Sequence, residues 1–433
     1  LLKLSARAAL LALAACARQE PPPGGPPDVA PPQIVQIRPE SGAVVPQMRG
    51  EAAIRFDEVI EEMAGAGGAG GAGGAGGLER LVLLSPVAGA VRVSWARTGI
   101  EVRPREGWKP GRVYRLELRP GITDLRRNVL REGRVILFST GPPIPNTELA
   151  GTVLQWVEQR AAPAALVLAA PAGDSLAYTT LADSAGAFTL GGVPPGRYRV
   201  FALVDQNQNG VRDRREPYDS TLVTIDSVAR IVLWTFTHDS VGPRLRTADF
   251  LDSVTVRLAF SQPLDPASRI DTARVAVLAL PDSTAVAVRA VMRQVEFDSL
   301  VARERAAADS ARRAAAPDTG RAARSATDTT RPPRPPRPSR PAPPPRGEPA
   351  GIRPGALPPT AAGDTAALRA LLARRPVPTD RLVVRLAQPL VPGAKYVVRV
   401  RGARNLNGAT ADAQAVLSVP ARPQPRDTTA RRP

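Results

Sequence analysis

Residues Asp205 to Glu216 carry a spacing that suits a metal ion. The run Asp205-Gln206-Asn207-Gln208-Asn209-Gly210-Val211-Arg212-Asp213-Arg214-Arg215-Glu216 reads D-x-N-x-N-G-x₅-E, which is the spacing of a calcium loop. Asp205, Asn207 and Asn209 would supply side-chain oxygens and Val211 its carbonyl. Asp213 would bind directly or through water, Glu216 would bind with both oxygens, and Gly210 would permit the sharp turn. Calcium is a hard cation and favours such an oxygen-rich cage. Against this stand Arg212, Arg214 and Arg215 inside the loop, and flanks that read as strand and Pro217 rather than as two helices. The alternative is an Asn/Asp-rich hairpin loop held by side-chain-to-backbone hydrogen bonds.

The second chemically distinctive residue is Cys16, the only cysteine. Lys3 and Arg7 precede the apolar run Ala8 to Ala15, and the cysteine ends it. A basic start, a short apolar stretch and small residues before a cut describe a secretory signal. The run is too short to span a bilayer. Leu13-Ala14-Ala15-Cys16 resembles a bacterial lipobox. That resemblance implies cleavage before Cys16, lipidation of its thiol and attachment to a membrane by acyl chains, each contributing about 0.8 kcal/mol per buried CH₂. Ala17 follows, where an aspartate would resemble an inner-membrane retention signal, so the outer membrane is the expected destination. An ordinary secretory signal with an incidental cysteine is the other reading. The first residue is Leu1 rather than methionine, which allows for a start further upstream.

Enzyme chemistry finds little support. His238, Asp239 and Ser240 match a catalytic triad by letters alone, because neighbours on an extended chain point to opposite faces while a triad converges from separate elements. His238 reads as an exposed residue of a domain junction. No phosphate loop, HExxH or GxSxG occurs. The single histidine and single cysteine exclude multi-histidine and cysteine-rich metal sites and any disulfide within the chain. The expectation is a non-catalytic protein.

The elements that would hold these residues are strands. Tyr114, Leu116 and Leu118 alternate with Arg115 and Glu117 after the turn Pro110-Gly111. Tyr396, Val398 and Val400 do the same after Pro392-Gly393, with Lys395 and Arg399 on the opposite face. Period-two alternation after a turn signals a half-buried antiparallel strand. Further strands are predicted at 34–38, 52–56, 81–85, 91–95, 100–103 and 134–138, and later at 253–260, 274–280, 286–292 and 381–386. Short strands at this spacing argue a sandwich. The fold class is therefore all-β. With 47 prolines, 36 glycines and 4% aromatics in 433 residues, many turns and some disorder are expected.

Residues 33–141 resemble the bacterial Ig-like domain of the S-layer (SbsA) type. The resemblance is carried by Arg38-Pro39-Glu40-Ser41-Gly42, Ile54-Arg55-Phe56-Asp57-Glu58, Pro110-Gly111-x-x-Tyr114, Asp124 through Asn128 and Phe138-Ser139-Thr140. A second copy is expected over 242–294 and 376–420, where Phe260-Ser261-Gln262-Pro263-Leu264-Asp265 and Asn405-Leu406-Asn407-Gly408 echo the first. Residues 146–237 resemble the transthyretin-like, carboxypeptidase-regulatory type of sandwich, through Gly151, Asp183 to Phe188 and Pro195-Gly196-x-Tyr198. No peptidase residues accompany it. These resemblances imply spacer, adhesion or assembly roles in the cell envelope; a carbohydrate- or peptide-binding module, stabilised by calcium, is the alternative.

Around the sandwiches, 1–16 read as signal peptide, 17–32 as a Pro/Gly-rich tether, and 421–433 as a disordered tail. Residues 64–77 are Ala and Gly alone and read as a mobile loop. Residues 295–375 form a long, Ala/Arg/Pro-rich disordered insertion, with candidate helices over 295–316 and, capped by Asp364, over 366–374. Its core, Arg331 to Pro338, favours extended polyproline II. The whole chain carries a net charge of +18, and residues 301–375 hold fifteen arginines against six acids. Without interleaved aromatics this does not suit nucleic acid. It is either a solvated loop or a basic arm for anionic envelope polymers and lipid head groups.

Overall fold

The computed structural model describes residues 28–62, 77–315 and 361–421. Cys16, the Pro/Gly-rich tether up to residue 27, the core of the Ala/Gly loop and the Arg/Pro run lie outside the described residues.

The first sandwich contains β1 (Ile34–Arg38), β2 (Ala52–Phe56), β3 (Val82–Ser85), β4 (Val91–Trp95), β5 (Gly99–Pro104), β6 (Val113–Leu118) and β7 (Arg134–Ser139). One sheet runs β1-β2-β5-β4 and the other β3-β6-β7. Their inner faces meet through Ile54, Ile100, Leu116, Leu118, Ile136 and Phe138, all buried. Burying one such side chain contributes about 1.5–3 kcal/mol, so alternation alone selects which face turns inward. Gly111 at the head of β6 has φ +69°, which is the conformation a Pro-Gly type II turn demands.

The middle sandwich contains β8 (Glu148–Gln155), β9 (Arg160–Ala161), β10 (Leu166–Pro171), β11 (Tyr178–Leu181), β12 (Ala187–Gly191), β13 (Gly196–Leu203), β14 (Tyr218–Ile225) and β15 (Val228–Thr235). Its sheets run β11-β10-β13-β14 and β12-β8-β15, with β9 on β8. The β8–β15 pair is parallel.

The third sandwich contains β16 (Leu245–Asp252), β17 (Thr255–Leu264), β18 (Val275–Ala279), β19 (Ala285–Val286), β20 (Val288–Arg293), β21 (Thr379–Leu386), β22 (Lys395–Arg404) and β23 (Thr410–Ser418). Sheets β16-β17-β21-β20 and β19-β18-β22-β23 repeat the strand order of the first sandwich, with the two-residue β19 added at one edge. Strand β16 is absent from the sequence reading; Arg246, Thr247 and Asp249 break its apolar run, and it is held by pairing with β17 instead.

Between β20 and β21 the described residues form two helices, α1 (Gln294–Ala315) and α2 (Ala361–Leu372). They lie where the sequence offered candidate helices over 295–316 and 366–374 within the insertion, the second starting five residues earlier than expected. Helix α1 is anchored at its start, where Arg257 Nε donates to Gln294 Oε1 at 3.0 Å, and again where Arg385 meets Glu304 at 3.7 Å. Asp364 lies inside α2 rather than at its cap. Among the described residues no helix is long and apolar enough to cross a membrane.

Candidate functional site

Strand β13 ends on buried Leu203, and the Val204 N–H donates to the Pro217 carbonyl at 2.9 Å. That bond closes the neck of a loop over the residues with calcium-loop spacing. Asp205 turns both carboxylate oxygens inward: one accepts Asn209 N–H at 3.2 Å, the other Gly210 N–H at 2.7 Å. Asn207 Oδ1 accepts Asn209 N–H and Asn209 Oδ1 accepts Val211 N–H, at 3.1 and 2.7 Å. The amide of Asn207 donates to Asp213 Oδ2 at 2.6 Å, and that of Asn209 does so at 3.4 Å. Glu216 is 5% exposed. Its two oxygens accept Gln206 N–H at 2.9 Å and Asp213 N–H at 3.0 Å. Gln208 and Gly210 take left-handed φ of +58° and +71°.

Asp205, Asn207, Asn209, Asp213 and Glu216 are thus brought into one hydrogen-bonded knot. Asp213 Oδ2 accepts both amides, but the other accepting oxygens each take one donor and keep a second lone pair, so the donor set suits a hard cation. Val211 is exposed, and its N–H, not its carbonyl, makes the bond within the loop. Arg212 does not sit on the carboxylates: its guanidinium lies over the Tyr218 ring at 4.6 Å.

That ring begins an aromatic column. His238 stacks on Tyr218 at 3.8 Å and on Phe236 at 4.1 Å, and Phe236 meets Trp156 edge-on at 5.8 Å. Arg375 lies over both Trp156 and Trp234, and Trp156 Nε1 donates to the Pro376 carbonyl at 3.2 Å. The column therefore joins the middle sandwich to the segment entering β21. His238 is half-buried within it, which corrects its reading as an exposed junction residue; Phe236 is two residues away, but the stack was illegible because Tyr218 and Trp156 come from distant segments. Burial lowers the His238 pKa, opposed by the Phe236 carbonyl and Asp219. Burial raises Asp219 against the Trp234 N–H, the Ser220 N–H and Arg375. The neighbours Asp239 and Ser240 do not converge on the ring; Asp239 Oδ1 accepts the Val241 N–H at 2.9 Å.

The joint between the first and middle sandwiches is also polar. Arg112 pairs with Asp174, and Arg115 with Glu117. Arg115 also donates to the Thr189 carbonyl at 3.4 Å, Thr180 Oγ1 to Glu117 at 3.0 Å, and Thr179 N–H to Ser85 Oγ at 3.1 Å. Arg115 is 5% exposed. The outward face of β6 is therefore a docking face, not a wet one. A second cluster also escaped sequence reasoning: the carboxylates of Asp28, Glu58 and Asp124 gather within 4.8 Å of one another at the base of the first sandwich.

These features define a string of β-sandwiches with bonded joints. Residues 28–140 match the family model of the bacterial Ig-like domain. No curated protein matches the chain. Among solved structures, the N-terminal part of the bacterial S-layer protein SbsC is 11% identical, over 42% of this chain and 24% of that one, with a TM-score of 0.19. The Bacillus anthracis TIE protein is 11% identical over 65% and 51% of the two chains, with a TM-score of 0.16. BcpA, the major pilin subunit of Bacillus cereus, is 8% identical over 48% and 71%, with a TM-score of 0.17. The chain spans about a quarter of the first and half of the second. Scores this low add nothing to the fold assignment, which rests on strand order and the family match.

Proposed function

We propose that the chain is a non-catalytic, lipid-anchored cell-envelope protein whose sandwiches act as a spacer, adhesion or assembly module. The observation that carries this reading is the bonding of successive domains. Arg112–Asp174 and Arg115–Thr189 tie the first joint, and Trp156–Pro376 with the Arg375 stacking ties the second. Such joints fix the distance and orientation of neighbouring sandwiches. The transthyretin-like reading of the middle sandwich draws support from Gly151, Phe188 and Tyr198 lying in its strands β8, β12 and β13. Cys16 would carry the lipid, with the protein at the outer membrane. Its partners would be the membrane and anionic envelope polymers or other envelope proteins, not nucleic acid. Metabolic labelling with an alkyne fatty acid tests this: the wild type should be labelled and Cys16→Ala should not. An unlabelled wild type would remove the anchor from the proposal.

The knotted loop at 205–216 favours a second reading, a calcium-stabilised carbohydrate- or peptide-binding module. Peptidoglycan and polysaccharide pull-downs with and without calcium separate the two, since only the second reading expects retention that calcium strengthens, whereas charge contacts of the first would not need calcium.

A further inference from the structure

The two most exposed large apolar side chains among the described residues are Val29 and Leu125, at 79% and 68% exposure. Both lie at one end of the first sandwich, where Val129 is exposed too. Strands β6 and β7 pair from Val113–Ser139 to Leu118–Arg134. The loop between them therefore lies at the end away from Arg112 and its partner Asp174. Residue 28 enters at that same end, where the Asp28 carbonyl accepts the Asn128 amide at 3.2 Å. Apolar residues scattered over a surface need no partner, whereas gathered ones mark a contact.

The tip of this loop is held firmly, and it has a counterpart. Asp124 Oδ1 accepts the N–H groups of Arg126 and Asn128 at 2.8 and 2.7 Å, and Asp124 N–H donates to the Asn128 carbonyl at 3.2 Å. Asn405 Oδ1 likewise accepts those of Asn407 and Ala409 at 3.0 and 2.8 Å, and Asn405 N–H donates to the Ala409 carbonyl at 3.0 Å. Leu125 thus matches Leu406, Arg126 matches Asn407, and Arg127 matches Gly408. Arg127 and Gly408 both take left-handed φ, +67° and +89°. In the third sandwich the tip is turned toward the domain before it. Leu406 is half-buried and lines a cavity with Val157 and Glu158 of the middle sandwich. In the first sandwich the chain before the tip runs back to Cys16, twelve residues ahead of Asp28. Twelve residues span at most about 40 Å, so a membrane holding Cys16 lies within reach of the tip.

The chemistry of the tip fits such a surface. Arg126, Arg127, Arg131 and Arg134 are exposed, and among the described residues none of them pairs with a carboxylate. Arg131 and Arg134 line an open groove of about 430 Å³ against Pro31 and Pro32, which is room for a phosphate head group. Glu132 lies among these arginines. The other acids nearby, Asp28, Asp57 and Asp124, accept backbone N–H groups, which offset part of their charge.

We propose that this tip rests on an anionic phospholipid surface, the one that holds the lipid of Cys16. Leu125, Val129 and Val29 enter the head-group layer while the arginines meet lipid phosphates, as in other interfacial segments. The proposal rests on the reading of Cys16 as the lipid-bearing residue. It gives the first sandwich a footing on the membrane and points its joint with the middle sandwich away from it.

The test uses the chain from residue 16 onward, which keeps every described residue. Cys16→Ala with Val29→Cys leaves one thiol, which carries an environment-sensitive fluorophore. Vesicles of phosphatidylethanolamine and phosphatidylglycerol should shift its emission to the blue at low salt, and less as salt rises. The same label on Leu222→Cys, an exposed position of the middle sandwich, should not shift; it controls for adsorption through residues 301–375. Arg126→Asn/Arg127→Gly copies the third sandwich's own tip and should fold, yet need at least about tenfold more lipid for half the shift. No shift from the Val29→Cys label, an equal shift from the Leu222→Cys label, or an unchanged lipid requirement in the double variant would overturn the proposal. So would a shift with lipopolysaccharide or peptidoglycan but not with phospholipid. The acylated thiol is absent from this experiment, so its outcome and that of the fatty-acid labelling are read separately.

Discussion

Tyr114 and Tyr396 make the same bond in different domains. Each hydroxyl accepts the backbone N–H five residues upstream, from Lys109 at 2.7 Å and from Val391 at 2.9 Å. Each ring is buried, at 1% and 3% exposure, and each follows the turn that opens its strand. The bond pins that turn to the core. Tyr114→Phe and Tyr396→Phe should each cost about 1 kcal/mol, the usual net worth of such a bond. Urea unfolding of the full chain should show the loss as a lower midpoint with an unchanged slope.

Gly151 should tolerate no side chain. It lies in β8 between Phe188 of β12 and Ile231 of β15. A Cβ there would fall 2.4 Å from the Ile231 carbonyl oxygen and 2.8 Å from the Phe188 ring. Gly151→Ala should destabilise the middle sandwich by about 1–3 kcal/mol or more, since backbone must move. Gly191→Ala, where a Cβ meets nothing within 4 Å, is the control and should leave the thermal midpoint unchanged.

His238 should titrate below its ordinary range. It is the only histidine, so its ring proton is unambiguous in a one-dimensional NMR spectrum. Burial between Tyr218 and Phe236 lowers its pKa from 6.5, favouring the neutral ring. A depressed folded pKa gives stability that is present above the unfolded value and lost as pH falls through the folded one. Acidification from pH 7 should therefore loosen the joint between the middle and third sandwiches. His238→Phe keeps a ring in the stack and should remove that component of the pH response.

The first joint should respond to acid in a lower window. Arg112 holds Asp174 below the usual carboxylate range, helped by the Leu176 and Ser175 N–H groups. The stability this contributes is present above the unfolded value, near 3.9, and lost as pH falls through the folded one. Both side chains are partly exposed, so the effect is small. Asp174→Asn should abolish it, read as hydrogen exchange at Thr179 and Thr180 between pH 5 and 2.

Glu216 should matter with or without metal. Its carboxylate accepts two N–H groups in a buried place, so Glu216→Ala leaves both unpaired and should cost about 2 kcal/mol. Under the calcium reading, titration of Glu216→Ala should lack the loop's own binding heat that the wild type gives.

Strands were legible where covalent spacing encodes them. Pro110-Gly111 and Pro392-Gly393 announce β6 and β22, and the residues expected to face inward, Tyr114, Leu116 and Leu118 with Tyr396, Val398 and Val400, are buried. Strand β16 was not legible, because its order comes from pairing with β17 rather than from its own pattern. The loop residues 205–216 could be found because all its ligand candidates lie in one run. The trio of Asp28, Glu58 and Asp124 could not, since nothing local links positions so far apart, although the echo of Phe56-Asp57-Glu58 in Phe260-Ser261-Gln262 was a signal that could have found it.

By itself the sequence determined that the chain forms sheets, and which faces of strands such as β6 and β22 turn inward after their Pro-Gly turns. Those properties follow from local sterics and a period of two. Only the tertiary structure decided what the polar faces do. Arg115 alternates outward as its position requires, yet it is buried, because another sandwich docks on it. His238 belongs to a junction by sequence and to an aromatic stack by structure. Docking depends on the fit of surfaces built from distant segments, and no short stretch of chain contains that information.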